Sequence, residues 1–126
     1  MPALHLAEAA DIGGARVWLY ELCWGFGPYG ASQGLDTRLL FGTADVDGEV
    51  TTAGPAAVAA AEQLSHLIRA EHLAFATTGD PGWAQFRTPQ RMTRVYSPES
   101  VLITYPEEHS RALWSDQRFD VLSVNT

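Results

Sequence analysis

Cysteine is almost missing from this sequence, with Cys23 its single copy. No disulfide forms within the chain, and a cysteine-based zinc cage is excluded. Lying in an apolar run, that thiol is expected to be buried and inert. Basic residues are few, 8 against 15 acidic ones, for a formal net charge of −7. They form no cluster, so neither a nucleic acid nor an anionic membrane surface is an expected partner. No apolar run approaches the ~18 residues of a membrane helix. The opening MPALHLAEAADIGG lacks the charged-then-apolar order of a signal peptide. A soluble, cytoplasmic chain is the expectation.

Metal-ligand spacing is lacking too. His5, His66, His72 and His109 are scattered, with no H-E-x-x-H pattern. Asp45, Asp47 and Glu49 alternate beside Gly48 without the register of a calcium loop, and read as a mobile acidic loop. Neither a metal nor a cofactor is expected.

What remains is an ordinary globular composition, 46% hydrophobic and 18% charged, which excludes a mostly disordered chain. At 126 residues a single domain, 1–126, is expected. Residues 2–10 read as a short helix, stopped by Gly13-Gly14. Residues 15–24, ARVWLYELCW, are apolar on both alternating faces, which suits a strand covered on both sides. Trp18, Tyr20 and Trp24 share one of those faces, as core residues or as walls of a ligand box. A Gly-rich loop and the short apolar anchor Leu39-Leu40-Phe41 follow. Residues 42–54 read as an exposed loop.

The strongest helix starts with Gly54 as N-cap and Pro55 at its first position, and runs to about Thr77. Val58, Ala61, Leu64, Ile68 and Phe75 form its apolar stripe, with Glu62, Gln63, Arg69 and Glu71 facing away. Two strand-like runs, 92–96 and 101–105, flank the turn Ser97-Pro98-Glu99-Ser100 and predict an antiparallel hairpin. A short helix from Pro106 through Trp114 closes the pattern, and 117–126 reads as an irregular tail. The fold class is α/β, with a few-stranded sheet, one long helix and short flanking helices.

Gly30-Ala31-Ser32-Gln33-Gly34 matches G-x-S-x-G, the nucleophile elbow of serine hydrolases. An elbow needs a strand running straight into the serine and a helix leaving straight after it. Here Gly25-Phe26-Gly27-Pro28-Tyr29 separates the serine from its nearest strand, and Leu35-Asp36-Thr37-Arg38 is a poor helix start. Ser32 is therefore a weak nucleophile candidate.

The order of segments along the whole chain explains the match better. PALHLAEAADIGGARVWLYELCW, GASQGLDTRLLFGT, LIRAEHLAFATTGDPGWAQF and RMTRVYSPESVLITYPEEHSRALW occur here in succession. Together they resemble the C-terminal part of the type-B carboxylesterases, the cholinesterase and para-nitrobenzyl-esterase family of α/β-hydrolases. The resemblance spans about residues 2 to 116 and implies a truncated α/β-hydrolase fold. GASQGLDTRLLFG is similar to the family's G-A-x-H-G-[LA]-[DE]-L-P-x-[VL]-F-G, whose histidine is the general base of the triad. That position here is Gln33. Thr37-Arg38 departs from the family's apolar-proline pair, and His72 stands where the family often has tryptophan.

The resemblance implies serine-dependent hydrolysis of carboxylic esters as the ancestral reaction. The family's serine, oxyanion glycines and acid all lie upstream of the matched region. A fragment or degenerate relative, without catalysis of its own, is thus the expected function. The alternatives are half of a split esterase completed by a partner chain, or a small interaction protein. Loss of neighbouring strands would bare a strand edge, so a homo-oligomer or partner chain bound there is expected.

Overall fold

A computed structural model describes residues 2–117. Helix α1 (Pro2–Ile12) leads into strand β1 (Leu19–Leu22), and a 3-10 turn at Gly27–Tyr29 follows. Short helices α2 (Leu35–Leu40) and α3 (Glu49–Thr52) precede the long α4 (Pro55–Thr78). Strands β2 (Met92–Tyr96) and β3 (Val101–Thr104) and helix α5 (Glu108–Trp114) complete the order. The sheet is mixed, in the order β1-β2-β3. Strand β1 runs parallel to β2, with Leu19 opposite Thr93 and Leu22 opposite Tyr96. Strands β2 and β3 form the expected antiparallel hairpin, Val95 facing Val101.

Alternation along β1 divides the core in two. Leu22 joins a cluster containing Leu39, Leu64, Ile68 and Tyr96, on the side of α4. Leu19 and Val17 join Leu4, Ala7 and Phe86, on the side of α1. Successive residues point to opposite faces, so helices cover both sides of the strand, as its two apolar faces require. The strand is shorter than the 15–24 expected. Its ladder pairs four residues, and Val17 instead gives its carbonyl to the Phe86 N–H at 2.8 Å, outside the sheet.

Helix α4 begins where the sequence places it, with Gly54 at φ 105° and Pro55 in the first turn. It ends at Gly79, whose left-handed φ of 74° lets its N–H cap the Phe75 carbonyl at 2.7 Å. Ala61, Leu64 and Ile68 are buried as expected, but Phe75 is 48% exposed. In the last turns of α4, Phe75 meets mainly the edge of the Trp18 ring at 5.6 Å.

Four expectations are corrected. Glu71, read as facing away, lies three residues after Ile68 on the same helical face and pairs with Arg94 on β2. Residues 42–54 are not simply an exposed loop. Val50 on α3 is 1% exposed and Ala44 6%, both packed in the α4 cluster. The acidic residues there make hydrogen bonds: Asp45 accepts from the Thr51 N–H at 2.9 Å, and Asp47 from Arg38 at 3.0 Å. Cys23 is exposed rather than buried, because it lies one residue past the end of β1. Partial burial, and then the Glu21 carboxylate, still push its thiol pKa up. The last helix starts at Glu108 rather than Pro106, and the tail expected over 117–126 falls, from 118 on, outside the described residues. Among the described residues no helix is long and apolar enough to cross a membrane.

Candidate functional site

The segment between β1 and α2 carries both sequence-predicted site residues. It folds back sharply after the strand. A Cβ on Gly25 would lie 1.9 Å from the Gly30 carbonyl carbon, so only glycine lets the two backbones pass this close. Ser32 and Gln33 follow in an exposed turn, and neither side chain hydrogen-bonds within the described residues. The Ser32 carbonyl accepts from the Leu35 N–H at 3.3 Å, and Gly34, at φ 85°, opens α2.

Helix α2 forms where a poor helix start was expected. Tertiary packing overrides local propensity, since Leu35 and Leu39 are both buried against α4. The buried Ser65 hydroxyl also donates to the Leu39 carbonyl at 2.6 Å. In the first turn of α2, Asp36 accepts a hydrogen bond from the Tyr20 hydroxyl at 2.9 Å, which ties the turn to β1. A strand leading directly into Ser32 is absent: β1 ends at Leu22.

The aromatic face of β1 divides in use. Trp24 packs with Phe26 beside the larger core. Trp18 and Tyr20 instead wall a cavity of about 370 Å³ with His72, Phe75 and Trp83. The Trp18 indole is fixed by donating to the Trp83 carbonyl at 3.0 Å, and the Arg16 guanidinium lies 4.9 Å over its ring. His72 stands edge-on to Tyr20 at 5.7 Å, and its Nδ1 is 2.8 Å from the Ile68 carbonyl. A carbonyl only accepts, so Nδ1 is the donor in that contact. His5, His66 and His109 lie on α1, α4 and α5, and no group of three metal-ligating side chains occurs among the described residues.

Glu71, which also lines the cavity, centres a polar network that sequence reasoning missed. Arg94 donates to both oxygens of Glu71, at 2.5 and 3.3 Å, and the Tyr96 hydroxyl donates to Glu71 at 2.5 Å. The spacing of Leu64, Ile68, Glu71 and Phe75 along one stripe of α4 was the available signal.

Tyr20 connects this region to pH. Burial first, then its hydrogen bond to Asp36 and that carboxylate's charge, push its pKa up to about 12. The folded-state pKa lies above the unfolded value near 10, so the stabilisation is complete below pH ~10 and is lost as pH rises towards 12. Tyr20 is partly solvated, which screens the effect to about 1 kcal/mol. Tyr20→Phe is expected to flatten the fall in stability between pH 10 and 12, as urea unfolding at each pH would measure. An unchanged slope would refute the assignment.

No protein-family model matches the sequence. Solved structures do. The carboxylesterase EST55 of Geobacillus stearothermophilus matches with a TM-score of 0.74 at 24% identity, over 88% of this chain and 24% of its own. A PNB esterase matches with a TM-score of 0.69 at 27% identity, over 88% and 24%. A thermophilic PNB esterase gives 0.72 at 26%, with the same coverage. The chain spans about a quarter of the length of the esterases it matches.

Proposed function

This chain has the fold of a segment of the type-B carboxylesterases, and we propose that it supplies the C-terminal part of such a fold without hydrolysing esters itself. The observation that carries this reading is Gln33. It occupies the position that the family resemblance gives to the general base, in an exposed turn tied to β1 through Tyr20 and Asp36. The base must take a proton from serine and return it to the leaving group. An amide does not titrate near neutral pH and does neither. Loss of a triad base lowers turnover by up to about a millionfold, on the order of 8 kcal/mol of barrier.

Ser32 is not expected to act as a nucleophile, since no strand leads into it and no side chain among the described residues bonds its hydroxyl. Intact-mass spectrometry after treatment with a fluorophosphonate tests this. The expected result is an unmodified mass while a known serine hydrolase is labelled in parallel. A stoichiometric adduct at Ser32, absent from a heat-denatured control, would overturn the reading.

The second reading is an interaction module, or half of an enzyme completed by another chain. The bare outer edge of β1 favours it, because β1 pairs only with β2 among the described residues.

A further inference from the structure

We propose that the cavity between α4 and the segment 42–50 binds a small zwitterion, an apolar α-amino acid, with its carboxylate on Arg69 and its ammonium on Glu62. The cavity holds about 300 Å³, which suits a molecule of that size. None of its lining residues belongs to the turn of Ser32 and Gln33, so this site and the esterase reading stand or fall separately.

Arg69 differs from the other arginines. Arg16, Arg38, Arg87, Arg91, Arg94 and Arg111 each lie within 4.0 Å of a carboxylate oxygen, whereas Arg69 has no such partner among the described residues. With 15 acidic residues to 8 basic ones, a shortage of counter-charges does not explain it. Its guanidinium is nonetheless held in place. Nη2 donates to the Ser65 hydroxyl at 3.1 Å, and that buried hydroxyl is itself fixed by donating to the Leu39 carbonyl. The group lies over the bare backbone of Gly42, where a Cβ would stand 2.8 Å from the same nitrogen and displace it. One N–H of the planar fork is thus used within the protein, and the others suit a ligand carboxylate.

The opposite charge is present but set apart. Glu62 lines the same cavity and makes no hydrogen bond or ion pair within the described residues. Because Arg69 reaches back along α4 to Ser65, its guanidinium sits level with a residue three positions after Glu62, roughly 4.5 Å along the helix axis. A carboxylate and an ammonium carried on one carbon span such a gap and join two charges that do not meet directly. His66 lies on the wall between them as a further hydrogen-bonding group. Asp45, the other carboxylate of the wall, is already engaged by the N–H and the hydroxyl of Thr51.

The remaining lining selects among ligands. Ala44, Val50, Val58 and Ala61 give the cavity an apolar floor, which favours a hydrocarbon side chain. Inorganic phosphate is a poorer ligand, because its second charge would face Glu62 and Asp45. A simple amine would face the guanidinium with nothing to offer it. A purely apolar molecule would strip water from Arg69 and Glu62 and leave both unpaired.

The test is an NMR titration of the whole chain with L-leucine. Amide shifts are expected to saturate at residues 42–50 and 58–69, with a dissociation constant on the order of 1 mM for so small and open a site. Leucinamide lacks the carboxylate and isocaproate the ammonium, and each should bind about tenfold less tightly or worse. Arg69→Gln should lower leucine affinity about tenfold or more, with urea unfolding as the check on its fold. Glu62→Gln alters an exposed side chain and should weaken leucine about fivefold without weakening isocaproate. That pair of results carries the test if Arg69→Gln does not fold. No saturation by about 20 mM leucine overturns the proposal. So do shifts confined to other elements, or leucinamide binding as tightly as leucine. Phosphate binding more tightly than leucine would make this a site for simple anions and overturn the zwitterion.

Discussion

In complex with a polypeptide that supplies the serine and acid, Gln33→His is expected to raise the turnover of a nitrophenyl ester by about 10⁴- to 10⁶-fold over the unsubstituted complex, the range that separates a triad with its base from one without. In the isolated chain the same substitution is expected to leave hydrolysis at background, because the imidazole has no nucleophile to deprotonate. The exposed turn accepts the change without repacking, since the Gln33 side chain makes no hydrogen bond within the described residues. Its backbone frame is set by Gly34, by α2 and by the Tyr20–Asp36 bond. A true restoration has its own signature: kcat/KM should rise with pH through a group titrating near 6.5, as a histidine base requires. Arg38, bound to Asp47 and close to Glu49 where the family has an apolar-proline pair, is the main risk to the loop's path. A complex that forms yet gains nothing from Gln33→His would show that residue 33 is not presented to the serine. The identification of Gln33 with the base position would then fail.

How far the sequence carries the fold depends on the range of the interaction that sets each element. Helix α4 was legible almost to the residue, because Gly54, Pro55 and Gly79 encode its ends locally. The β2–β3 hairpin was legible for the same reason, its turn lying between two apolar runs. Helices α2 and α3 were not. Their local propensity is weak, and what forms them is burial of Leu35, Leu39 and Val50 against α4, a tertiary contact that propensity does not encode. The stripe on α4 places Glu71 on the inner face, but its partner Arg94 lies 23 residues away and no local pattern names it. The candidate site divides in the same way. A short motif marked Ser32 and Gln33, and the motif match carries their proposed roles. The groove beside Trp18 and Tyr20 needed the fold, since a stripe of aromatics reads alike whether it is covered or bare.

Glu71→Ala should be the most destabilising single change in the polar network, lowering stability by about 3–5 kcal/mol, the usual cost of removing one partner of a buried ion pair. Glu71 and Arg94 are only 14% and 15% exposed at their side chains, so little water reaches the pair. The alanine would leave the Arg94 charge beside the rings of Trp83 and Tyr96, 5.8 and 5.7 Å away, without a counter-charge. It would also take the acceptor from the hydroxyl of Tyr96, the largest fully buried side chain in the larger core. Glu71→Gln keeps one accepting oxygen but loses the charge and the second acceptor, so its cost should be smaller than that of alanine. Urea unfolding of both variants provides the measurement. The pair also distinguishes two views of why a charge is kept here. If it serves stability alone, Glu71→Leu with Arg94→Leu should recover most of the loss, since well-packed apolar residues often replace a buried pair without penalty. If it also sets the register of α4 over the sheet, the double variant should recover stability yet change hydrogen exchange along α4 and β2, because Glu71 lies on α4 and Arg94 on β2. Recovery of stability with unchanged exchange would leave the pair no role beyond holding α4 to β2.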